Sequence, residues 1–267
     1  MKKKSLILGT ILTVTMALAL AGCSTKSSTK TDTTTLLGQI KSSGKLRIGT
    51  EGTYSPFTFH DSTGKLTGFD VDIAEAIALK LGVKTEYVET KWDGIFAGLD
   101  AKRFDIIVNE VGINAERQAK YDFSDPYILS KPVLIVQKDN TSITKFEDLK
   151  GKKSAQSLTS NLGKIATSYG AELVSVDGFN QSIDLITSKR ADATVNDSLS
   201  FLDLKKQKPD IAVKVVAEGK DSDKNGIMLN KGNKELLDAI NKALADIKAD
   251  GTYLKISEKW FGTDVSK

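Results

Sequence analysis

The chain of 267 residues contains one cysteine, Cys23, and one histidine, His60. A lone cysteine forms no disulfide within the chain and builds no thiol-rich metal site, so the fold must stand on its apolar core. His60 reads as an exposed loop residue, which leaves Ser-His-Asp and Cys-His arrangements without their base and excludes histidine-rich metal centres. No phosphate loop of the G-x-G-x-x-G or G-x-x-x-x-G-K type occurs. Acidic residues are plentiful, yet no spacing singles out a catalytic pair. An excess of basic charge is missing too. The 38 Lys and Arg against 34 Asp and Glu include Lys2, Lys3 and Lys4 in an opening segment without acids; its removal leaves 35 against 34. That balance carries no footprint for nucleic acid. The absences point to a protein that binds without catalysing, and to no cofactor.

The opening segment sets the address. Met1 to Lys4 is basic, Ser5 to Leu20 mostly apolar, and small residues follow, which is the pattern of a cleaved secretory signal over 1–22. Leu20-Ala21-Gly22-Cys23 resembles the lipobox of bacterial lipoproteins, which implies lipid modification of Cys23. Ser24 to Thr35 is polar and of low complexity, and a flexible tether is expected over 23–40. A lipidated tether anchors a protein to a bilayer without spanning it. The expected place is the outer face of the cell membrane of a Gram-positive bacterium.

About 230 residues remain, enough for two lobes with separate cores. Lys45 to Thr50 alternates as a strand and breaks at Gly52 and Pro56, leaving Glu51, Tyr54 and Phe57 in a loop at its C-terminal end. Asp70 is suited to cap a helix that ends at Gly82, and a strand follows over Val83 to Val88. Trp92 to Ala101 reads as a helix and Phe104 to Val108 as a strand. After Pro132 the rhythm restarts, with strands at Val133–Gln137, Lys153–Ala155, Leu173–Val176, Ala193–Val195 and Val213–Val216 and helices between them. Asn225 to Leu229 reads as a strand crossing back, before a long amphipathic helix and a final segment, Tyr253 to Phe261. Alternating strands and helices predict a two-lobed α/β fold, each lobe a mainly parallel sheet flanked by helices, with two crossover strands at a hinge. The lobes are expected at 41–131 plus 225–267 and at 132–224, with pivots near 131–133 and 223–227. Ligands of such sheets belong at strand C-termini.

The groups at those ends suit a zwitterion. Asn109, Glu110 and Gly112 follow a short apolar run and lead to Arg117 in the first turn of a helix. A guanidinium matches a carboxylate in two-point fashion, so Arg117 is a candidate carboxylate clamp; pairing with Glu116 or Asp122 on the surface is the plain alternative. Thr159 and Ser160 stand at a helix N-terminus, where free N–H groups favour an anion. Asp197 ends a strand and either faces an ammonium or caps the helix from Ser198. Tyr54 and Trp92 offer aromatic walls.

From Leu46 to Phe261 the chain resembles the solute-binding proteins of ABC importers for polar amino acids. The matching runs are RIGTEGTYSPF (47–57), GFDVDIAEAIA (68–78), WDGIFAGL (92–99), FDIIVN (104–109), ERQAKYDFSDPY (116–127) and the closing NKALADIKADGTYLKISEKWFG (241–262). The resemblance implies a fold of the type II periplasmic-binding-protein kind, a monomer, and a permease as partner. It implies that Arg117 binds the ligand carboxylate with Thr159 and N–H groups near Ser160, that Asp197 accepts the ammonium, and that Gly112 supplies backbone contacts. Glu51 and Tyr54 then line the side-chain pocket and Trp92 stacks on the ligand. Binders of basic amino acids in this family often have two serines where this chain has Asn109-Glu110. The runs VNEVGIN (108–114) and AQSLTSN (155–161) are similar to those of the cystine-binding branch. Cystine is therefore the expected ligand, with glutamine or another polar amino acid, or a cyclohexadienyl dehydratase-like lyase on the same fold, as alternatives.

Overall fold

A computed structural model describes residues 34–267; the expected signal segment, Cys23 and most of the expected tether lie outside the described residues. The tether ends earlier than residue 40. Thr35 caps helix α1 (Leu36–Ser43), its hydroxyl accepting the Gly38 N–H at 3.1 Å, and Ile40 is buried against the helices of the first lobe. Leu36, Leu37 and Ile40 form an apolar stripe at helical spacing that the polar run before them obscures.

The first lobe is built on a five-stranded sheet in the order β5 (Lys84–Glu89), β1 (Lys45–Thr50), β6 (Ile106–Ile107), β15 (Met228–Asn230) and β7 (Tyr121–Phe123). The strand expected over Phe104 to Val108 is confined to two paired residues. β1 runs parallel to β5 and β6, while β15 is antiparallel to both its neighbours. Ile106 and Leu229 face one core and the adjoining Ile107 and Met228 the other, the period-two alternation of a sheet covered on both sides. Helices α1, α2 (Phe69–Leu81), α8 (Lys234–Ala249) and α9 (Thr252–Phe261) cover the first face, and α3 (Trp92–Asp100) the second.

The second lobe repeats the plan with β11 (Glu172–Ser175), β10 (Lys153–Gln156), β12 (Ala193–Asp197), β9 (Pro132–Gln137) and β13 (Val213–Glu218). Here β10 is parallel to both neighbours and β9 antiparallel to both of its own. Leu134 and Val136 pack with α5 (Asn161–Ser168), whereas Val133 and Ile135 pack with α6 (Phe179–Thr187) and α7 (Ser198–Gln207).

Two strands carry the chain between the lobes, β8 (Ile128–Ser130) outward and β14 (Asp223–Asn225) on the return, and they pair antiparallel. The single strand expected over Asn225 to Leu229 is thus two, interrupted at Gly226 and Ile227. The passage at Gly226 is close: a Cβ there would lie 2.9 Å from Ile113 Cδ1 and 3.2 Å from the Ser124 carbonyl oxygen.

Two further local differences bear on the site. The segment after β1 folds into three short antiparallel strands, β2 (Thr53–Tyr54), β3 (Thr58–His60) and β4 (Leu66–Thr67), rather than an open loop. Asp70 does not cap α2. Gly68 occupies the N-cap at φ 138°, where a Cβ would strike the Phe57 carbonyl, and Asp70 is the second residue of the helix, in its first turn and buried.

Candidate functional site

The C-terminal ends of β1 and β6 in the first lobe face the ends of β10 and β12 in the second. Between them lies a cavity walled by both lobes, the concave setting in which small-molecule sites occur. From the first lobe it is lined by Glu51, Tyr54, Trp92, Asn109 and Glu110. The second lobe contributes the ends of strands, Gln156 and Asn196, and the starts of helices, among them Ser160, Asn161 and Phe179.

Asn109 organises the first-lobe wall. Its side-chain oxygen accepts the Glu51 N–H at 2.7 Å and the Thr50 hydroxyl at 3.1 Å, and its amide donates to Glu51 Oε2 at 2.7 Å. The Glu51 carboxyl is thereby aimed along the wall, and burial pushes its pKa up to about 7. Glu110 has a left-handed backbone, φ 48°, held because its N–H donates to Asp70 Oδ2 at 2.6 Å while Tyr127 donates to Asp70 Oδ1 at 2.8 Å. Burial likewise pushes Asp70 up to about 7.

The Glu110 carboxyl meets Asp197, which comes from the opposite lobe. Asp197 plays the capping part, accepting the Leu199 N–H at 2.8 Å at the start of α7, and also faces Glu110. The capping reading of Asp197 is thus the one the structure shows. Burial, then the neighbouring carboxyl, raises Glu110 well above the ordinary carboxylate range, and burial raises Asp197.

Arg117 sits on α4 (Ala115–Lys120), capped by Asn114, and only 9 % of it is exposed. Its Nη1 donates to the Gly112 carbonyl at 2.8 Å, and its guanidinium carbon lies 5.3 Å from the Trp92 ring and 5.2 Å from that of Phe96. Burial lowers its pKa to about 10. The surface pairing with Glu116 or Asp122 does not form: among the described residues no carboxylate stands within ion-pair distance of Arg117. It does not line the cavity itself but a neighbouring pocket, with Phe96, Thr159 and Lys164. Gly112 is likewise outside the lining, with room for no more than a tight contact, since a Cβ would lie 3.2 Å from Asn161 Nδ2.

Thr159 is placed differently from expectation. It is exposed, and its N–H and hydroxyl both donate to Asp93 Oδ1 on α3, at 3.1 and 2.7 Å. Similar ties cross the cleft elsewhere. Lys91 pairs with Asp177 at 2.8 Å, Lys164 with Glu116, Ser55 donates to Asp203 at 2.7 Å, and the Tyr54 hydroxyl to Asn196 Oδ1 at 3.3 Å. The lobes are thus joined along the rim. His60 ends β3, exposed, with Nε2 3.2 Å from Glu89 and apart from the cavity.

Six of the ten expected ligand residues line the cavity: Glu51, Tyr54, Trp92, Asn109, Glu110 and Ser160. Sequence reasoning missed Gly178, Phe179 and Ser182 at the start of α6. Gly178 is the N-cap of α6, and a glycine just before an apolar-periodic segment is the signal that marks this helix start.

Residues 46–263 match the family described as bacterial extracellular solute-binding proteins, family 3. The L-cystine-binding protein TcyA of Bacillus subtilis is 45 % identical over 270 residues, with both chains covered in full. Among solved structures, the unliganded open L-cystine solute receptor of Neisseria gonorrhoeae is 50 % identical, with 84 % of this chain and 95 % of that one covered and a TM-score of 0.57. An ancestral arginine-binding protein bound to arginine is 44 % identical, with 82 and 98 % covered and a TM-score of 0.77. The better superposition on the liganded relative, despite lower identity, agrees with lobes joined across the cleft.

Proposed function

The chain belongs to the family 3 bacterial extracellular solute-binding proteins, and from that membership we propose that it binds L-cystine between its lobes and delivers it to an ABC permease. The observation that carries this reading is the presence of two carboxyl groups, Glu51 and Glu110, on one cavity, with the buried Asp197 next to Glu110 and the buried Arg117 guanidinium in no ion pair among the described residues. A buried charge without a partner is costly, so such a set calls for a ligand with complementary charges. Cystine has two ammonium and two carboxylate groups. One ammonium meets Glu110 and Asp197, the second meets Glu51, and Arg117 takes a carboxylate beside Trp92, which stacks on the ligand. The first turn of α5, with Ser160, adds N–H donors. Glutamine, with one ammonium, leaves Glu51 without a cation.

Lobes at 41–131 plus 225–267 and at 132–224 close about β8 and β14, near 131–133 and 223–227. Cleavage after residue 22 and lipidation of Cys23 hold the monomer on the outer face of a Gram-positive cell membrane, within reach of the permease.

Isothermal titration of the chain without residues 1–23 against cystine and the twenty amino acids tests the assignment. Cystine is expected to saturate one site at least tenfold more tightly than glutamine or arginine. Tight glutamine binding with no heat from cystine overturns it.

A further inference from the structure

Asn109 and Glu110 are consecutive in the chain, yet both line the cavity. Successive side chains of extended backbone point to opposite sides, so two neighbours share a wall only where the chain turns at one of them. Here the turn is at Glu110, whose φ of 48° lies in the left-handed region that a non-glycine residue adopts at a cost. Glycine would take this conformation freely, but glycine has no carboxyl to offer the cavity.

What holds the turn lies outside the cavity. Asp70, in the first turn of α2, is 1 % exposed and is not part of the lining. Its Oδ2 accepts the Glu110 N–H at 2.6 Å and its Oδ1 accepts the Tyr127 hydroxyl at 2.8 Å. Among the described residues no lysine, arginine or histidine forms an ion pair with it, so its two oxygens are committed to these two donors. The same residues meet again at Asn225 on β14. Its carbonyl accepts the Tyr127 N–H at 3.0 Å, and its side-chain amide donates to Glu110 Oε1 at 3.3 Å. Asp70, Glu110, Asn225 and Tyr127 thus close a ring of hydrogen bonds. Tyr127 is fully buried and its ring lies nearly parallel to that of Phe69, with centroids 6.1 Å apart, which fixes the far side of the ring of bonds. No residue of the second lobe takes part.

We propose that Asp70 is a positioning residue for ligand capture: by clamping the Glu110 N–H it keeps the left-handed turn that sets the Glu110 carboxyl on the cavity wall, where that carboxyl meets the ligand's ammonium group. This rests on the cleft being an amino-acid site. Without an acceptor at residue 70 the Glu110 N–H is buried and unpartnered, the turn relaxes toward extended backbone, and the carboxyl leaves the wall. Asp70 therefore acts through Glu110 and does not touch the ligand. Asparagine can stand in for it, since its amide oxygen accepts the Glu110 N–H while its amide nitrogen donates to the Tyr127 oxygen. Leucine, of similar size, offers no acceptor.

L-cystine is titrated into wild type, Asp70→Asn, Asp70→Leu, Glu110→Ala and Asp70→Leu/Glu110→Ala, with circular dichroism to establish folding. Asp70→Leu is expected to weaken binding about tenfold and Asp70→Asn less than about threefold, and in the Glu110→Ala background the leucine adds less than about twofold. A leucine effect equally large with and without the Glu110 carboxyl overturns the proposal, because Asp70 then acts on the fold and not through Glu110; so does unchanged binding in Asp70→Leu. A second measurement needs no variant and no ligand. The Glu110 amide of ligand-free wild type is expected to exchange its hydrogen as slowly as the amides of β1, and exchange at the rate of an exposed loop overturns the proposal. If wild type gives no heat with cystine, the ligand assignment fails while hydrogen exchange still decides whether the clamp holds.

Discussion

Thr159 and Asp93 join the two lobes across the mouth of the cleft, the N–H and hydroxyl of the threonine converging on one carboxylate oxygen at 3.1 and 2.7 Å. The contact exists only while the lobes are together, so it stabilises the closed form and not the separate lobes. Being exposed, it is worth about 1 kcal/mol. Replacing Asp93 by Ala is expected to weaken cystine binding roughly fivefold, mainly through faster release. Stopped-flow dissociation checks this; an unchanged off-rate removes Thr159 and Asp93 from the closing contacts.

Asp70 makes stability depend on pH. Its folded pKa of about 7 lies above the ordinary 3.8 because it is buried under Glu110 and Tyr127. A raised acid contributes stability that is fully present below pH 4 and is lost as pH rises through 7. Asp70→Asn lacks this titration. Urea unfolding of both proteins between pH 4 and 7.5 is expected to show wild type losing on the order of 3 kcal/mol relative to the variant. Parallel pH profiles would mean that Asp70 stays ionised in the fold.

Local signals account for what the sequence made legible. Strand alternation and helix stops such as Gly82 located the elements of both lobes, and polar residues at strand ends located Glu51, Asn109 and Glu110. What escaped depends on contacts distant in the chain. Asp70 has the residue type of a cap, but Gly68 lies so close to the Phe57 carbonyl that the helix starts earlier and the carboxylate turns inward. Thr159 has the position of an anion donor, yet Asp93, 66 residues away, claims both its donors. The meeting of Glu110 with Asp197 depends on how the lobes come together, which no local pattern encodes.

Trp92 and Trp260 are the two tryptophans of the chain. Trp92 lines the cavity with its indole N–H buried and unpartnered, whereas Trp260 donates to Asp72 at 2.7 Å on α2. Cystine is expected to change the intrinsic fluorescence through Trp92. The change should vanish in Trp92→Phe and persist in Trp260→Phe; the reverse pattern would place the ligand elsewhere.

The central claim is that a ligand carboxylate answers the unpaired guanidinium of Arg117. Titration of cystine into wild type and Arg117→Ala, with circular dichroism to establish that both are folded, tests it most directly. Loss of this partner leaves a buried carboxylate unpaired, so affinity is expected to fall by about 3 kcal/mol, more than a hundredfold. A folded Arg117→Ala protein that binds cystine within threefold of wild type contradicts the claim.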